Sequence, residues 1–211
     1  MRSFLLLTLL CLISHLNYGQ VQYGSKAGVN ISSIHFKDAD PDDFRERLGA
    51  HAGLFAEFNL NEKLYVRPEL LYSLKGNQFT ASMSNNKGNI DLHYVNLPLL
   101  VGYRLTDKVA VYAGPEAGYL VAAFSRTEKS SYNLKGKAGY EDLDLGISGG
   151  VAYKLTSTWQ LDARYTYGFP LLMTYYTLDH QGASPEKNRD GSNRTFQVGV
   201  SYYIDQKTSN L

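Results

Sequence analysis

The feature that most restricts this chain is a set of eight segments in which apolar and polar residues alternate, joined by connections that are short and long in turn. The segments fall at about 22–34, 49–60, 64–80, 90–105, 109–125, 143–155, 159–170 and 194–205. Asn61 to Lys63, Thr106 to Lys108 and Thr156 to Thr158 are three-residue turns, whereas 35–48, 81–89, 126–142 and 171–193 are long and polar. Successive side chains of a strand point to opposite faces, so each segment has one apolar and one polar face. An even number of antiparallel strands, joined tightly at one end and loosely at the other, predicts an all-β fold. The specific expectation is an eight-stranded, up-and-down transmembrane β-barrel.

Which face points inward is the next question. In "WQLDARYTYGF" at 159–169, Trp159, Leu161, Ala163, Tyr165, Tyr167 and Phe169 share one face, and Gln160, Asp162, Arg164, Thr166 and Gly168 the other. A soluble sheet buries the first set; a membrane barrel turns it to lipid. The polar faces carry Gly24, Gly28, Gly53, Gly114, Gly118, Gly146, Gly150, Gly168 and Gly199. Glycine weakens a strand, and a water-facing surface has no need of it. The inside of an eight-stranded barrel is so narrow that small residues must alternate there with large ones. Among these glycines stand Lys26, His51, Glu57, Arg67, Glu69, Lys75, Arg104, Glu116, Asp144, Asp162 and Arg164, with Tyr65, Tyr112 and Tyr203. Both signs are present, as a paired, desolvated interior requires. The opposite faces, such as Ala52, Leu54, Ala56 and Phe58, or Val95, Leu97, Leu99 and Val101, are almost free of charge. Strands of about 12 residues, rising about 3.3 Å per residue at a tilt near 45°, climb about 28 Å and match an apolar band of about 25 Å. The charges are predicted to point inward and fill the lumen, leaving no wide channel.

The short turns also repeat. "FNLNEKLYV" at 58–66, "YRLTDKVAV" at 103–111 and "YKLTSTWQL" at 153–161 share one pattern, which makes the hairpin the repeating unit. Phe58, Tyr103, Tyr153 and Tyr202 then lie at one height, with Trp159 beside them, and Tyr72, Tyr119 and Phe169 form a second ring at the other strand ends. Amphipathic rings settle at the two headgroup boundaries of a membrane. The 17 Tyr, 9 Phe and 19 Gly of the 211 residues fit a strand-rich fold with little helix.

Residues 1–20, with Arg2 ahead of an apolar run from Phe4 to Ile13, read as a secretory signal peptide. The barrel domain is expected over 21–205 and a short tail over 206–211. Cys11 lies in the leader, preceded by Leu10 where a lipidation site needs a small residue, so the exported chain is expected to have no thiol. Twenty basic residues remain after Arg2 against 20 acidic ones, which argues against a nucleic-acid partner. Pro68, Pro98 and Pro115 fall inside predicted strands, where a closed barrel has no free edge; bulges or shifted strand ends are expected there.

"YGSKAGVNISSI" at 23–34, "YVRPELLYSLKG" at 65–76, "YVNLPLLVGYRL" at 94–105, "VYAGPEAGYLV" at 111–121 and "LDARYTYGF" at 161–169 together resemble the PorT-like outer-membrane β-barrel family of Bacteroidetes bacteria. The resemblance spans essentially the whole exported chain. It implies an integral outer-membrane location, with the lipid bilayer as a partner and other envelope or secretion proteins as candidate partners. The family's motifs specify a fold more than a task.

Chemistry-bearing constellations are sparse. His51, with Ser73 or Ser148 as nucleophile, is the best acid-base candidate, but nothing in the sequence pairs them. Asp38, Asp40 and Asp42 have the spacing that opens a calcium loop, yet Asp43 stands where its glycine belongs and Gly49 where its bidentate glutamate belongs. No catalytic, cofactor-binding or metal residue is assigned on these grounds, and no cofactor is expected. The reading is a side-chain-filled barrel that binds or assembles through its long loops. Its rivals are a secreted lipocalin-like carrier with the faces inverted and a small barrel enzyme that modifies lipids.

Overall fold

A computed structural model describes residues 21–35, 44–81, 86–127, 130–136, 140–170, 172–178 and 185–204. The expected leader, the aspartates at 38–42 and the 206–211 tail lie outside these residues. The strands are β1 (Val21–His35), β2 (Phe44–Asn59), β3 (Leu64–Ala81), β4 (Asn86–Arg104), β5 (Val109–Thr127), β6 (Ser131–Asn133), β7 (Leu143–Lys154), β8 (Trp159–Gly168), β9 (Met173–Leu178), β10 (Pro185–Asp190) and β11 (Ser192–Tyr203). Eight of them close a barrel in the order β1-β2-β3-β4-β5-β7-β8-β11, with β11 returning to β1 and every pairing antiparallel. The predicted strand count and topology are those observed. No edge strand remains in the closed wall, as a strand-built membrane span requires.

The three short turns have one geometry because one side chain builds each of them. Asn61 Oδ1 accepts hydrogen bonds from the backbone N–H of Lys63 and Leu64, at 2.9 and 2.7 Å. Thr106 Oγ1 does the same for Lys108 and Val109, at 3.2 and 3.0 Å, and Thr156 Oγ1 for Thr158 and Trp159, at 3.2 and 3.0 Å. Such side chains replace the missing backbone partners of a tight turn.

The loop end is less regular than expected. β3, β4 and β5 run 18, 19 and 19 residues, against 12, 10 and 12 for β7, β8 and β11, so one side of the barrel stands taller. The expected 81–89 loop shrinks to 82–85, because β3 and β4 stay paired as far as Ala81 and Asn86. The 126–142 loop contains β6, which pairs with β5, and the 171–193 loop contains the β9–β10 hairpin.

The prolines correct one expectation. No bulge lies at Pro68, Pro98 or Pro115, and all three are within strands. Instead, each faces a stretch where two rungs are missing and the register resumes without a shift. The gaps fall between Phe55–Glu69 and Phe58–Val66, between Pro68–Leu99 and Leu71–Asn96, and between Pro98–Glu116 and Val101–Ala113. A proline removes one donor, and the flanking ladder holds the alignment. The bulges lie elsewhere. The β2–β3 register shifts between Glu46 and His51, and the β4–β5 register shifts at His93/Tyr94, leaving Val121 without an opposite number.

Small and large residues interlock inside, as the narrow lumen demands. Gly24 lies opposite Phe55, Gly102 opposite Tyr65 and Gly150 opposite Tyr112. A Cβ at those glycines would come within 2.3, 2.0 and 2.7 Å of the facing side chain.

Candidate functional site

The inner face is charged and buried, and the outer face is apolar and exposed. Lys26, Arg67, Lys75, Glu69 and Arg164 are all at most 3% exposed, while Leu54, Leu97 and Leu99 are 60, 57 and 49% exposed. This is the predicted orientation. It removes the lipocalin-like alternative, because a carrier of apolar ligands needs the opposite lining.

The lumen is organised in layers of ion pairs. Near the turn end, Glu57 accepts from Arg67 and Arg104 at 2.5 Å each, and from Tyr203 Oη at 3.0 Å. The rings of Phe55, Tyr65 and Tyr203 surround the Arg67 guanidinium at 4.8, 5.3 and 5.7 Å. In the middle, Arg164 donates to Glu69 at 2.8 Å and Lys26 pairs with Asp162. Above them, Glu116 accepts from Lys75 at 3.1 Å, Asn96 at 2.7 Å, Ser148 at 2.6 Å and Thr166 at 3.2 Å. Each of these buried charges thus has an opposite partner, the condition under which ions survive desolvation, whereas Asp144 is held by the Asn193 amide at 2.8 Å.

At the loop end the lumen turns apolar. Ile34, Leu92, Tyr94, Leu120, Ala123 and Leu172 pack together, with Ile90, Leu134 and Tyr140 against them. The β5 bulge makes this possible, since skipping Val121 turns both Leu120 and Ala123 inward. Burial pushes the Tyr140 phenol above its ordinary pKa. Sequence periodicity missed this cap because a bulge breaks the alternation on which the reading rests. It also missed Asn30, whose Oδ1 accepts from His51 and Gln197 at 2.7 and 3.1 Å and whose Nδ2 donates to the carbonyls of Ala50 and Leu74 at 3.1 and 3.2 Å. An inward asparagine here replaces strand partners lost at the β2–β3 shift.

The sequence-derived chemistry candidates are brought close but not coupled. His51 sits directly across the β2–β3 ladder from Ser73, yet its Nδ1 donates to Asn30 and neither its Nε2 nor Ser73 Oγ makes a hydrogen bond among the described residues. Ser148 is held by Glu116 and Thr166. All three are buried.

Outside, Tyr103, Tyr153, Trp159 and Tyr202 are between 38 and 46% exposed near the turn end, and the Trp159 and Tyr202 rings meet at 4.9 Å. Tyr72, Tyr119 and Phe169 are similarly exposed toward the loop end. Between them the surface is that of a bilayer-spanning band.

The comparisons agree with this geometry. Residues 14–172 match the family described as "Outer membrane protein beta-barrel domain". Among solved structures, the Neisserial surface protein A is similar at 13% identity and a TM-score of 0.57, with 88% of this chain and 100% of that one covered. The attachment invasion locus protein Ail of Yersinia pestis, solved with the heparin analogue sucrose octasulfate, is similar at 16% identity and a TM-score of 0.50, with the same coverage. At these identities the likeness concerns the fold. No curated protein matches the chain.

Proposed function

This chain belongs to the outer membrane protein β-barrel domain family, and from that premise we propose that it is a PorT-like member that acts by binding or assembly at the cell surface. It is an integral outer-membrane protein, with the bilayer as its first partner. The observation that carries the functional reading is the filled lumen. Ion pairs occupy it from Glu57 to Glu116, and the Leu92–Leu120 cap lies above them. A barrel that offers no route through itself works through its surface, and its long loops supply most of that surface. The stretches at 65–76, 94–105 and 111–121 support the PorT-like, Bacteroidetes assignment, and with it envelope or secretion proteins as the partners. The protein is proposed not to be an enzyme, since His51 is engaged by Asn30 and no described serine is hydrogen-bonded to it.

The reading places both strand termini and the three short turns in the periplasm. Two measurements test it together. Ser131→Cys, in β6, is expected to react with a membrane-impermeant thiol reagent in intact cells, and Lys108→Cys, in a short turn, only after the outer membrane is opened. The purified protein in a planar bilayer is expected to give no stable conductance steps. Sustained conductance would show a channel and overturn the reading, as would labelling of Lys108→Cys in intact cells.

A further inference from the structure

The tall side of the barrel continues beyond the loop-end tyrosines, and its outer face changes character there row by row. Across β3, β4 and β5, Tyr72, Val95 and Tyr119 form one row. The next outward row is Leu74, His93 and Ala122, and the one after it Gly76, Asp91 and Phe124. Then Arg45, Gln78, Asn89 and Arg126 lie side by side across β2 to β5, with Thr80 and Lys87 beyond. Four and six residues past the tyrosine row, at about 3.3 Å per residue and a tilt near 45°, correspond to about 9 and 14 Å above it. The headgroups of one leaflet occupy about 5 to 8 Å beyond the hydrocarbon edge, so these rows stand at and above their outer limit, where long arginine side chains can reach down to them.

The patch is cationic and partly preorganised. Asp91 is the carboxylate at its centre, and Arg47 and Arg126 hold it from both sides at 2.9 and 3.3 Å. Gly76 lies beside this cluster with a φ of +135°; a Cβ there would lie 1.9 Å from the Ile90 carbonyl, and would meet the Arg47 side chain only at an ordinary 3.6 Å. Arg126 also lies over the Phe124 ring at 5.6 Å, yet its side chain remains 54% exposed. Beneath, Tyr72 Oη and His93 Nδ1 are 2.6 Å apart, and His93 meets Phe124 edge-on at 5.9 Å. Glu46, the nearest other acid on β2, lies opposite the inward Asn77 and is exposed. Among the described residues, Arg45, Arg47, Lys87 and Arg126 thus stand against Asp91 and Glu46, which leaves net positive charge just above the membrane. On the low side, β7 begins at Leu143 and β8 ends at Gly168, and the β9–β10 hairpin beyond them forms a separate two-stranded sheet.

We propose that the outer face of β2–β5, centred on Arg45, Arg47, Asp91 and Arg126, binds phosphate groups on the headgroups of outer-leaflet lipids. Guanidinium forks match phosphate oxygens in pairs, and the Gln78 and Asn89 amides supply neutral donors between them. Asp91 fixes the two guanidiniums without cancelling the patch. The site deepens the surface-binding reading above and rests on its orientation, with the loops outside.

The test uses the full exported chain purified in detergent and two probes, an acylated glucosamine disaccharide bearing two phosphates and its phosphate-free counterpart. Native mass spectrometry counts the lipid retained. The phosphorylated probe is expected to bind at least tenfold more tightly, and Arg45→Gln/Arg126→Gln to lose most of that preference while keeping the heat-modifiable gel migration of a folded barrel. Asp91→Asn, which adds net positive charge, is expected to tighten binding a few-fold. Equal retention of the two probes overturns the site. Competition by inorganic phosphate at the same concentration as the lipid overturns the lipid assignment in favour of a soluble anion. Because this assay does not depend on orientation, labelling of Lys108→Cys in intact cells together with phosphate-selective binding would reject the outer-leaflet assignment while leaving the patch itself in place.

Discussion

The inner and outer faces of this barrel use the same backbone to opposite ends, and along β8 they alternate residue by residue. Arg164 is buried against Glu69, while its neighbour Tyr165 is 48% exposed on the apolar side. The difference teaches that burial in a membrane barrel does not follow hydrophobicity. It follows whether the solvent on each side can satisfy the group. Lipid accepts leucine and cannot solvate a charge, so charges retreat inward and must solvate one another.

The largest expected effect comes from breaking that mutual solvation. Glu69→Leu leaves Arg164 buried without its carboxylate, and loss of one partner of a buried pair costs about 3 to 5 kcal/mol. Urea titration of folding into vesicles, read by heat-modifiable migration, measures it. Restoring stability with Glu69→Leu/Arg164→Leu would show that the uncompensated ion, and not lost packing, was responsible. The outer face should answer differently. Leu99→Arg places a charge near mid-span in lipid and is expected to cost about 2 to 4 kcal/mol in the same titration. If Leu99→Arg were neutral, the assignment of the outer face to lipid would be wrong.

A size change sharpens the contrast without any charge. A Cβ on Gly114 would lie 1.9 Å from the Leu99 carbonyl, at the ladder gap opposite Pro115. Gly114→Leu overfills the lumen and is expected to cost about 1 to 3 kcal/mol, whereas Ala113→Leu, on the exposed face of the same strand, should change the urea midpoint little.

These contrasts also explain how far the sequence could be read. Strand number, pairing order and the direction of each face follow from alternation and glycine placement, and both are local properties. The Arg164–Glu69 pair joins β8 to β3, which no local pattern specifies, although the presence of both signs on the inner face announces that such pairs must exist. The outer third resists reading for a physical reason. One extra residue, Val121, reverses the alternation of β5 and turns Ala123 into the cap, while Leu92 and Leu120, apolar residues on the polar face, look like exceptions until the cap is seen. The Arg47–Asp91–Arg126 cluster joins β2, β4 and β5 across the β2–β3 register shift, which no local pattern specifies. At Pro68, Pro98 and Pro115 the expectation of bulges failed because the ladder on either side of each gap outweighs two lost rungs.

The smallest expected effect belongs to neither face. At the turn end, Asn61, Thr106 and Thr156 occupy one position in three turns and accept the same two backbone hydrogen bonds. Thr106→Ala removes that acceptor where water can replace it, so its cost should be about 0.5 to 1 kcal/mol, toward the low end of a single hydrogen bond's net contribution. Thr106→Asn copies the Asn61 turn and should be close to neutral. The pair separates two explanations of why these turns are legible. If Ala is costly and Asn is not, the side-chain acceptor specifies the turn, and the repeat at 58–66, 103–111 and 153–161 is a repeat of hydrogen bonding. If Ala and Asn are equally tolerated in the urea titration, the flanking strands impose the turn and the side chain merely occupies it. The turn end would then be organised like the loop end, by the closed wall and not by its local sequence.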